Sequence, residues 1–172
     1  APVGKDQKQH LEMTRDLGIS FNKKFGDTFI IPEPQISSQI EIVPGTDGKK
    51  MSKSYRNTLD IFQSDKKLRK NIMNIQTDSL NLEAPKNPSN CNVFKLYELL
   101  GSEEEIQALR KSYLKGNYGY GNAKQELFEL VIRKFANERK TYEQLISRPE
   151  LLEKMLSKGE SKASKIAHSV LS

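Results

Sequence analysis

The sequence predicts a mostly helical fold with a few short strands, divided by a connector rich in asparagine and proline. Apolar residues recur at three- and four-residue spacing through most of the chain after residue 92, which is typical of amphipathic helices. Short β-rich runs bounded by prolines occur before residue 63, and they favour short strands. Between these parts, residues 74–92 contain Pro85 and Pro88 among many Asn and Ser residues, which is typical of a connecting segment.

The first part of the chain is predicted to begin with one helix over Asp6–Phe25, in which Gly18 weakens the centre by about 1 kcal/mol relative to alanine. The runs Phe29–Pro32 and Ile40–Val43 are predicted as short strands or extended segments. A third short strand is predicted over Thr58–Phe62.

Ser64 is placed to cap a helix whose apolar residues are Leu68, Ile72 and Ile75. After the connector, one apolar stripe ends at Gly101, and Ser102 with Glu105 then forms the capping box of the next helix. The stripe consists of Val93, Leu96, Tyr97 and Leu100, and the next helix turns Ile106, Leu109 and Tyr113 inward.

The last third is predicted to be helical beyond the glycine-tyrosine turn at 116–122. A long helix places Leu127, Val131 and Phe135 on one side. Two short helices are predicted at the end of the chain, over Pro149–Ser157 and Ser161–Leu171. The second of them is predicted to bury Ala163, Ile166, Ala167 and Val170.

Composition narrows the classes of function. No apolar run is long enough to span a membrane, so no membrane partner is predicted. The formal net charge of +6 favours an anionic partner, although the basic residues are spread along the chain rather than concentrated in a tail. The single cysteine, Cys91, cannot form an internal disulfide, and two isolated histidines do not make a metal site. No tightly bound metal is therefore predicted.

The segment Gly45–Asn57, GTDGKKMSKSYRN, is called the lysine loop below. Its ammonium groups suit a phosphate chain whose charge shifts during a reaction, because lysine is a compact charge on a flexible stem. Lys49, Lys50 and Lys53 could close over a triphosphate and stabilise a departing pyrophosphate. A solvated surface turn is the alternative, and for a bare Lys-x-x-Lys pattern it is the commoner explanation.

Two stretches carry a resemblance to a known family. Lys50–Ser54, KMSKS, matches letter for letter the second signature of class I aminoacyl-tRNA synthetases. Pro2–Asn22, PVGKDQKQHLEMTRDLGISFN, resembles the Val-Gly-x-Asp-Gln segment and following helix of tryptophanyl-tRNA synthetases. The two stretches occur in the order and spacing of that family, and the resemblance covers nearly the whole chain.

The resemblance implies which residues act. Lys50 and Lys53 are the implied catalytic residues. Asp6 would accept hydrogen bonds from the ATP ribose, and it would equally suit the N-cap of the helix that follows. The implied ATP-binding residues are Gly4, Lys5, Asp6, Gln7, Ile40, Lys50, Met51, Ser52, Lys53 and Ser54.

The resemblance also implies a function. Such enzymes activate tryptophan with ATP and Mg²⁺, transfer it to tRNA(Trp) and work as homodimers. Their His-x-Gly-His signature is missing here, since the histidines are His10 and His168. The chain is therefore expected to be the C-terminal portion, inactive alone: residues 1–76 as the edge of a Rossmann-type catalytic domain and 77–172 as a helical anticodon-binding domain.

Two questions stay open at the level of sequence. The alternative to an enzyme portion is a non-catalytic RNA-binding module derived from the synthetase, although an intact lysine loop argues against it. The bacterial-type motifs, together with a basic composition rich in Asn and Lys, resemble mitochondrial members of the family, which implies the mitochondrial matrix, with the bacterial cytoplasm as the alternative.

Overall fold

The computed structural model describes residues 1–4, 7–36 and 43–171. Helices dominate this described part, and a short 3-10 helix at Pro88–Asn90 precedes α3. The α-helices are α1 (Lys8–Phe25), α2 (Asp65–Met73), α3 (Asn92–Glu98), α4 (Glu103–Lys115), α5 (Tyr120–Lys134), α6 (Ala136–Ser147) and α7 (Pro149–Leu171). The mostly helical architecture predicted from the sequence is confirmed.

The hydrophobic core lies among helices α2 to α5. Helix α5 is at its centre, because both α2 and α3 pack on it, and α4 packs on α3. The buried side chains include Leu68, Ile72, Ile75, Val93, Phe94, Leu96, Tyr97, Ile106, Leu109, Tyr113, Ala123, Leu127, Leu130 and Val131. This core draws residues from both sides of the domain boundary predicted after residue 76, and that boundary stays a prediction.

Ser64 and Ser102 are at the N-caps of α2 and α4, as the sequence predicts. The Ser102 capping box is confirmed: its hydroxyl accepts a hydrogen bond from the Glu105 amide at 3.3 Å, and its amide donates to the Glu105 carboxylate at 2.9 Å. Ser64 is at the N-cap of α2 as predicted, but its side chain makes no capping hydrogen bond. The Ser64 carbonyl accepts the first hydrogen bond of the helix, from the Leu68 amide at 2.9 Å.

No regular strand forms in the predicted runs where the structure describes them, so for Phe29–Pro32 the alternative prediction of an extended segment is the one that remains. In the described residues, β-type pairing is limited to two isolated bridges, Pro2 with Gln35 and Pro44 with Lys50. The run Phe29–Pro32 lies beside α1 instead, since Arg15 donates to the Pro32 carbonyl at 2.6 Å. Of the predicted strand Ile40–Val43, residues 40–42 lie outside the described residues, and Val43 is not in a strand.

The third predicted strand, Thr58–Phe62, is irregular, and two of its backbone groups bond to side chains. The amide of Phe62 donates to the Asp60 carboxylate at 2.9 Å. Arg139 from α6 donates to the carbonyls of Ile61 and Gln63 and to the carboxylate of Asp65. A β-rich sequence without a partner strand therefore forms an irregular segment clamped by one arginine.

The end of the chain differs from its prediction. Helix α7 is one helix of 23 residues rather than two short ones. Gly159 in its middle does not interrupt it, because glycine costs only about 1 kcal/mol in a helix interior. The four residues predicted to be buried, Ala163, Ile166, Ala167 and Val170, are all exposed. No helix in the described ranges is both long enough and apolar enough to cross a bilayer.

The proline-rich connector is packed against the helical core. Lys86 is only 2 % exposed, and its amide donates to the Tyr113 carbonyl at 2.8 Å. Its ammonium donates to the carbonyls of Asn81, Leu82 and Ala84 at 3.1, 3.3 and 3.1 Å, and lies 5.2 Å from the ring centroid of Tyr120. An ammonium has three N–H donors, and this one bonds three carbonyls of the connector. Lys86 therefore fixes the course of the connector.

Candidate active site

The first half of the lysine loop is a short hairpin. Pro44 and Lys50 pair across it, and the amide of Gly45 donates to the Lys49 carbonyl at 2.7 Å. The amide of Met51 donates to the Val43 carbonyl at 2.9 Å. A turn closes the tip, where the Gly48 amide donates to the Gly45 carbonyl at 3.0 Å.

The second half folds back over two successive turns. The amide of Tyr55 donates to the Ser52 carbonyl at 3.2 Å, and the amide of Arg56 donates to the Lys53 carbonyl at 3.1 Å. Arg56 adopts a left-handed backbone, with φ of 52°. The side chains of Lys49, Lys50 and Lys53 are exposed, so the loop presents its cationic groups at the surface.

Asn57 closes the loop from the inside. Its residue is 2 % exposed, and each polar atom of its side chain has a partner. The amide oxygen accepts from the Ser52 backbone at 2.8 Å, and the amide nitrogen donates to the Asp47 carboxylate at 2.7 Å and to the Lys50 carbonyl at 3.0 Å. The Asn57 carbonyl accepts from the Thr46 amide at 2.9 Å. One buried residue thus joins the hairpin to the turns that carry Lys53.

Two glycines make this closure possible for different reasons. A methyl group at Gly45 would overlap the side chain of Asn57, so the buried amide needs a residue without Cβ at that position. Gly48 has φ of 79°, in the left-handed region, and a methyl group there would also meet the Asn92 side chain. These are the glycines that lead into the lysines in the sequence.

Asp47 is held in its ionised form. The hydrogen bond from Asn57 is the largest cause that lowers the pKa of its carboxyl group, followed by the hydrogen bond from the Lys49 backbone and the Lys49 charge, with partial desolvation acting in the opposite direction. The Lys49 amide donates to the carboxylate at 3.0 Å. The ionised Asp47 carboxylate therefore lies under the tip of the hairpin, between its two donors, the Asn57 side chain and the Lys49 amide.

The loop is attached to the helical core through Met51 and through backbone contacts. Met51 is half-buried against the core and lines an apolar cavity of about 250 Å³, whose other walls include Leu68, Leu100 and Leu127. The Gln76 amide donates to the Thr46 carbonyl at 2.9 Å. The Asn92 side chain at the start of α3 donates to the Gln76 carbonyl at 3.1 Å. The loop is therefore supported from below while its lysines face outward.

The sequence-predicted site residues fall into two groups in the structure. Lys50, Met51, Ser52, Lys53 and Ser54 are brought together on the lysine loop. Gly4 and Gln7 lie at the start of α1, where the Gln7 amide donates to the Gly4 carbonyl at 2.9 Å. The predicted residues Lys5, Asp6 and Ile40 lie outside the described residues.

The Ser52 hydroxyl accepts a hydrogen bond from the Ser54 amide at 3.2 Å. Sequence reasoning missed Asn57 and Asp47, the polar residues that shape the loop. The only signal for them is their position, because they flank the lysines on either side. Within the described ranges, no three His, Cys, Asp or Glu side chains are grouped so as to hold a metal ion.

A comparison with models of known protein families shows the class of protein to which the chain belongs. Residues 1–136 match the family model of tRNA synthetases class I (W and Y), so the chain belongs to this family. The lysine loop lies within the matched residues.

The particular relatives are tryptophan enzymes. The chain is 47 % identical over 167 residues to the tryptophan–tRNA ligase of Fusobacterium nucleatum, covering 96 % of this chain and 51 % of the relative. It is 42 % identical over 170 residues to the enzyme of Rhodopirellula baltica, covering 99 % of this chain and 53 % of the relative. The chain thus spans about half the length of the curated relatives that it matches.

Solved structures agree with these relatives. The tryptophanyl-tRNA synthetase of Campylobacter jejuni, complexed with ADP and tryptophan, matches with a TM-score of 0.83 and 46 % identity, over 98 % of this chain and 53 % of that one. The enzyme of Aeropyrum pernix matches with a TM-score of 0.64 and 26 % identity, over 81 % of this chain and 39 % of that one. These likenesses confirm the predicted fold class: a mostly helical chain matching part of a class I synthetase with a Rossmann-type catalytic domain.

Proposed function

We propose that this chain is part of a tryptophan–tRNA ligase and that its lysine loop binds the triphosphate of ATP during tryptophan activation. The observation that carries the proposal is the loop itself: exposed lysines on a backbone that is fixed from within by a buried asparagine and from below by the core. A solvated turn would need no such scaffold. A non-catalytic RNA-binding module would not need it either.

The chemistry follows from the charges. In the activation step an oxygen of the tryptophan carboxylate attacks the α-phosphorus, the bond from that phosphorus to the bridging oxygen breaks, and its electron pair leaves with pyrophosphate. Lys50 and Lys53 are the proposed catalytic residues, because cations that meet the leaving group stabilise charge that builds up only as this bond breaks. Mg²⁺ would enter with ATP as the substrate complex. Gly4, Lys5, Asp6, Gln7 and Ile40 remain proposed ribose and adenine contacts.

The second step and the setting are also proposals. The tryptophanyl group would pass from the adenylate to the terminal ribose of tRNA(Trp), with residues 77–172 contacting the anticodon in a homodimer. The exposed surface of α6 and α7 is compatible with a large partner, since nearly every residue there is accessible. The curated relatives cited above are bacterial, which favours the bacterial cytoplasm and gives no support to the predicted mitochondrial matrix.

The test uses the full-length protein that contains this chain, with adenylate formation and transfer to tRNA followed separately in single turnovers. Lys53→Ala should slow adenylate formation by an amount equivalent to about 2–4 kcal/mol in activation free energy, the range found for a preorganised donor. The dissociation constant of ATP and the transfer step should change far less, because the charge acts mainly while the bond to pyrophosphate is breaking.

Lys66→Ala is the matched control, since Lys66 is an exposed lysine of α2 outside the loop and should behave like the unsubstituted protein. Lys53→Arg should restore activity only in part, because a planar guanidinium follows a moving phosphate less well than an ammonium. A wild-type protein without tryptophan-dependent ATP/pyrophosphate exchange would refute the proposed function. A steep rise in the ATP dissociation constant, with an unchanged rate at saturating ATP, would make the loop a ground-state clamp.

A further inference from the structure

We infer that Asn57 is a positioning residue for the activation step: it sets the shape of the lysine loop and thereby the positions of Lys50 and Lys53. The inference rests on the proposed function for its chemistry and on the geometry of the loop for its mechanism. The hydrogen bond from Asn57 to Lys50 goes to the backbone carbonyl. Asn57 acts through the backbone of Lys50 and Ser52.

The hydrogen bonds of Asn57 connect points that are distant along the loop. The amide nitrogen bonds the Lys50 carbonyl, and the amide oxygen bonds the Ser52 amide, so the two backbone groups on either side of Met51 are fixed by one side chain. Met51 itself points into the apolar core. This combination determines the backbone direction where the loop passes from hairpin to turn, between Lys50 and Lys53.

Asp47 completes the arrangement from the other side. Its carboxylate accepts from Asn57 at 2.7 Å and from the Lys49 amide at 3.0 Å, so Asn57 also couples the hairpin tip to the later turns. A carboxylate that interacts with the Lys49 charge could compete with a phosphate for it. By receiving two N–H donors, it is instead held under the loop.

An asparagine is required here because the site needs both a donor and an acceptor on one short, uncharged side chain. Aspartate would keep an acceptor for the Ser52 amide, but it would bring a second carboxylate beside Asp47 and turn an acceptor toward the Lys50 carbonyl. Alanine would leave the Ser52 amide, the Lys50 carbonyl and Asp47 without this partner. Gly45 belongs to the same arrangement, because any side chain there would overlap the asparagine.

The test compares Asn57→Asp with Asn71→Asp in the full-length protein. Asn71 is a matched control: it is half-buried on α2, and its amide donates to the Gln63 side chain at 2.9 Å, away from the loop. N57D should lower the single-turnover rate of adenylate formation at saturating ATP by about 100-fold, the order of effect of a displacement of about 1 Å in a reacting geometry. The ATP dissociation constant should change by less than about threefold, because the charges that attract ATP remain. N71D should leave both values within about threefold of wild type.

A reciprocal exchange tests the contact itself. The double variant D47N/N57D restores a donor opposite an acceptor between the two positions, and it should recover at least about tenfold of the rate lost in N57D. A role of Asn57 that does not pass through this contact predicts no such recovery. If N57D does not accumulate as folded protein, D47A removes the same contact from the more accessible side, and its rate should fall by about tenfold with the ATP dissociation constant again little changed.

Hydrogen exchange separates this inference from the proposed function. The Ser52 amide should be protected in the wild type and in N71A, and it should lose its protection in N57A, whether or not the protein makes adenylate. An active protein in which N57D and N71D behave alike, or in which the Ser52 amide keeps its protection in N57A, would overturn the inference. An inactive wild-type protein with the expected exchange pattern would refute the proposed function and the catalytic role of Asn57 with it, leaving its effect on loop shape.

Discussion

The lysine loop and the proline-rich connector place the same residue type in opposite environments. Both segments lack regular helices over most of their length, and both are attached to the core formed by α2 to α5. The connector buries Lys86 and satisfies its ammonium with three carbonyls. The loop exposes Lys50 and Lys53 and buries Asn57 instead.

The difference shows how an irregular segment becomes fixed and what it can then do. A buried lysine uses its charge and its donors inside the protein, so it contributes to stability and has nothing left for a ligand. A buried asparagine fixes a loop with an uncharged side chain and leaves the loop's cations at the surface. The residue type that is buried therefore distinguishes a structural connector from a segment built to present charge.

The largest expected effect on stability is that of replacing the buried lysine by methionine, compared with the same replacement at an exposed lysine of the loop. Lys86→Met keeps much of the side chain's length but removes the donor from three carbonyls, so the free energy of unfolding should fall by about 2–3 kcal/mol. Lys53→Met should change it by less than about 0.5 kcal/mol, as exposed substitutions usually do. Urea unfolding measures both values.

The rate of adenylate formation should show the reverse order, with the larger loss in K53M and the smaller loss in K86M. The folded K86M protein should form adenylate at close to the wild-type rate, whereas K53M should be slowed like Lys53→Ala. Comparable stability losses in the two variants would remove the distinction between the segments, as would a large rate loss in folded K86M.

A smaller effect is expected at the loop's left-handed glycine. Gly48→Ala should lower the free energy of unfolding by about 1–2 kcal/mol, because an L-residue is strained at φ of 79° and its methyl group meets Asn92. Gly159→Ala is the matched control with the opposite sign. Gly159 lies inside α7 with open space around it, so alanine should stabilise the helix by up to about 1 kcal/mol. Equal shifts in the same direction in urea unfolding would contradict this account of Gly48.

The helices could be predicted because their apolar spacing is local information. The stripes of α3 and α4 are buried as predicted, apart from Leu100, which is half-buried, and the capping box of α4 is a pattern that four residues contain by themselves. The strand predictions failed where they can be checked because a strand needs a partner, and a β-rich run says nothing about whether one lies beside it. Helix α7 shows the same limit, since its periodicity marks an apolar face but not what covers that face.

The candidate site was predictable only in its exposed part. The KMSKS letters identify the lysines through a resemblance, but no local pattern shows that Asn57 is buried, because its burial depends on how the loop folds back on itself. Lys86 is the same kind of case: a lysine in a segment rich in Pro and Asn would be expected in solvent, and it is inside because residues 81–84 curve around it. Buried polar groups in irregular segments are thus the features that are hardest to predict from the sequence.

The smallest expected effect concerns the titration of Asp47 and tests the contact that distinguishes the loop. Its pKa lies below the ordinary aspartate value of about 3.9, chiefly because Asn57 donates to the ionised form. A depressed folded-state pKa stabilises the fold fully above the unfolded value, and this contribution is lost as the pH falls through the folded value. Carbon-13 NMR of labelled aspartate, with the signal assigned by Asp47→Asn, measures the midpoint. Asn57→Ala should raise the midpoint toward the ordinary value, whereas Asn71→Ala should leave it in place. An Asp47 midpoint at or above the ordinary value in the wild type, or one indifferent to Asn57→Ala, would mean that the buried asparagine does not hold the hairpin tip through Asp47.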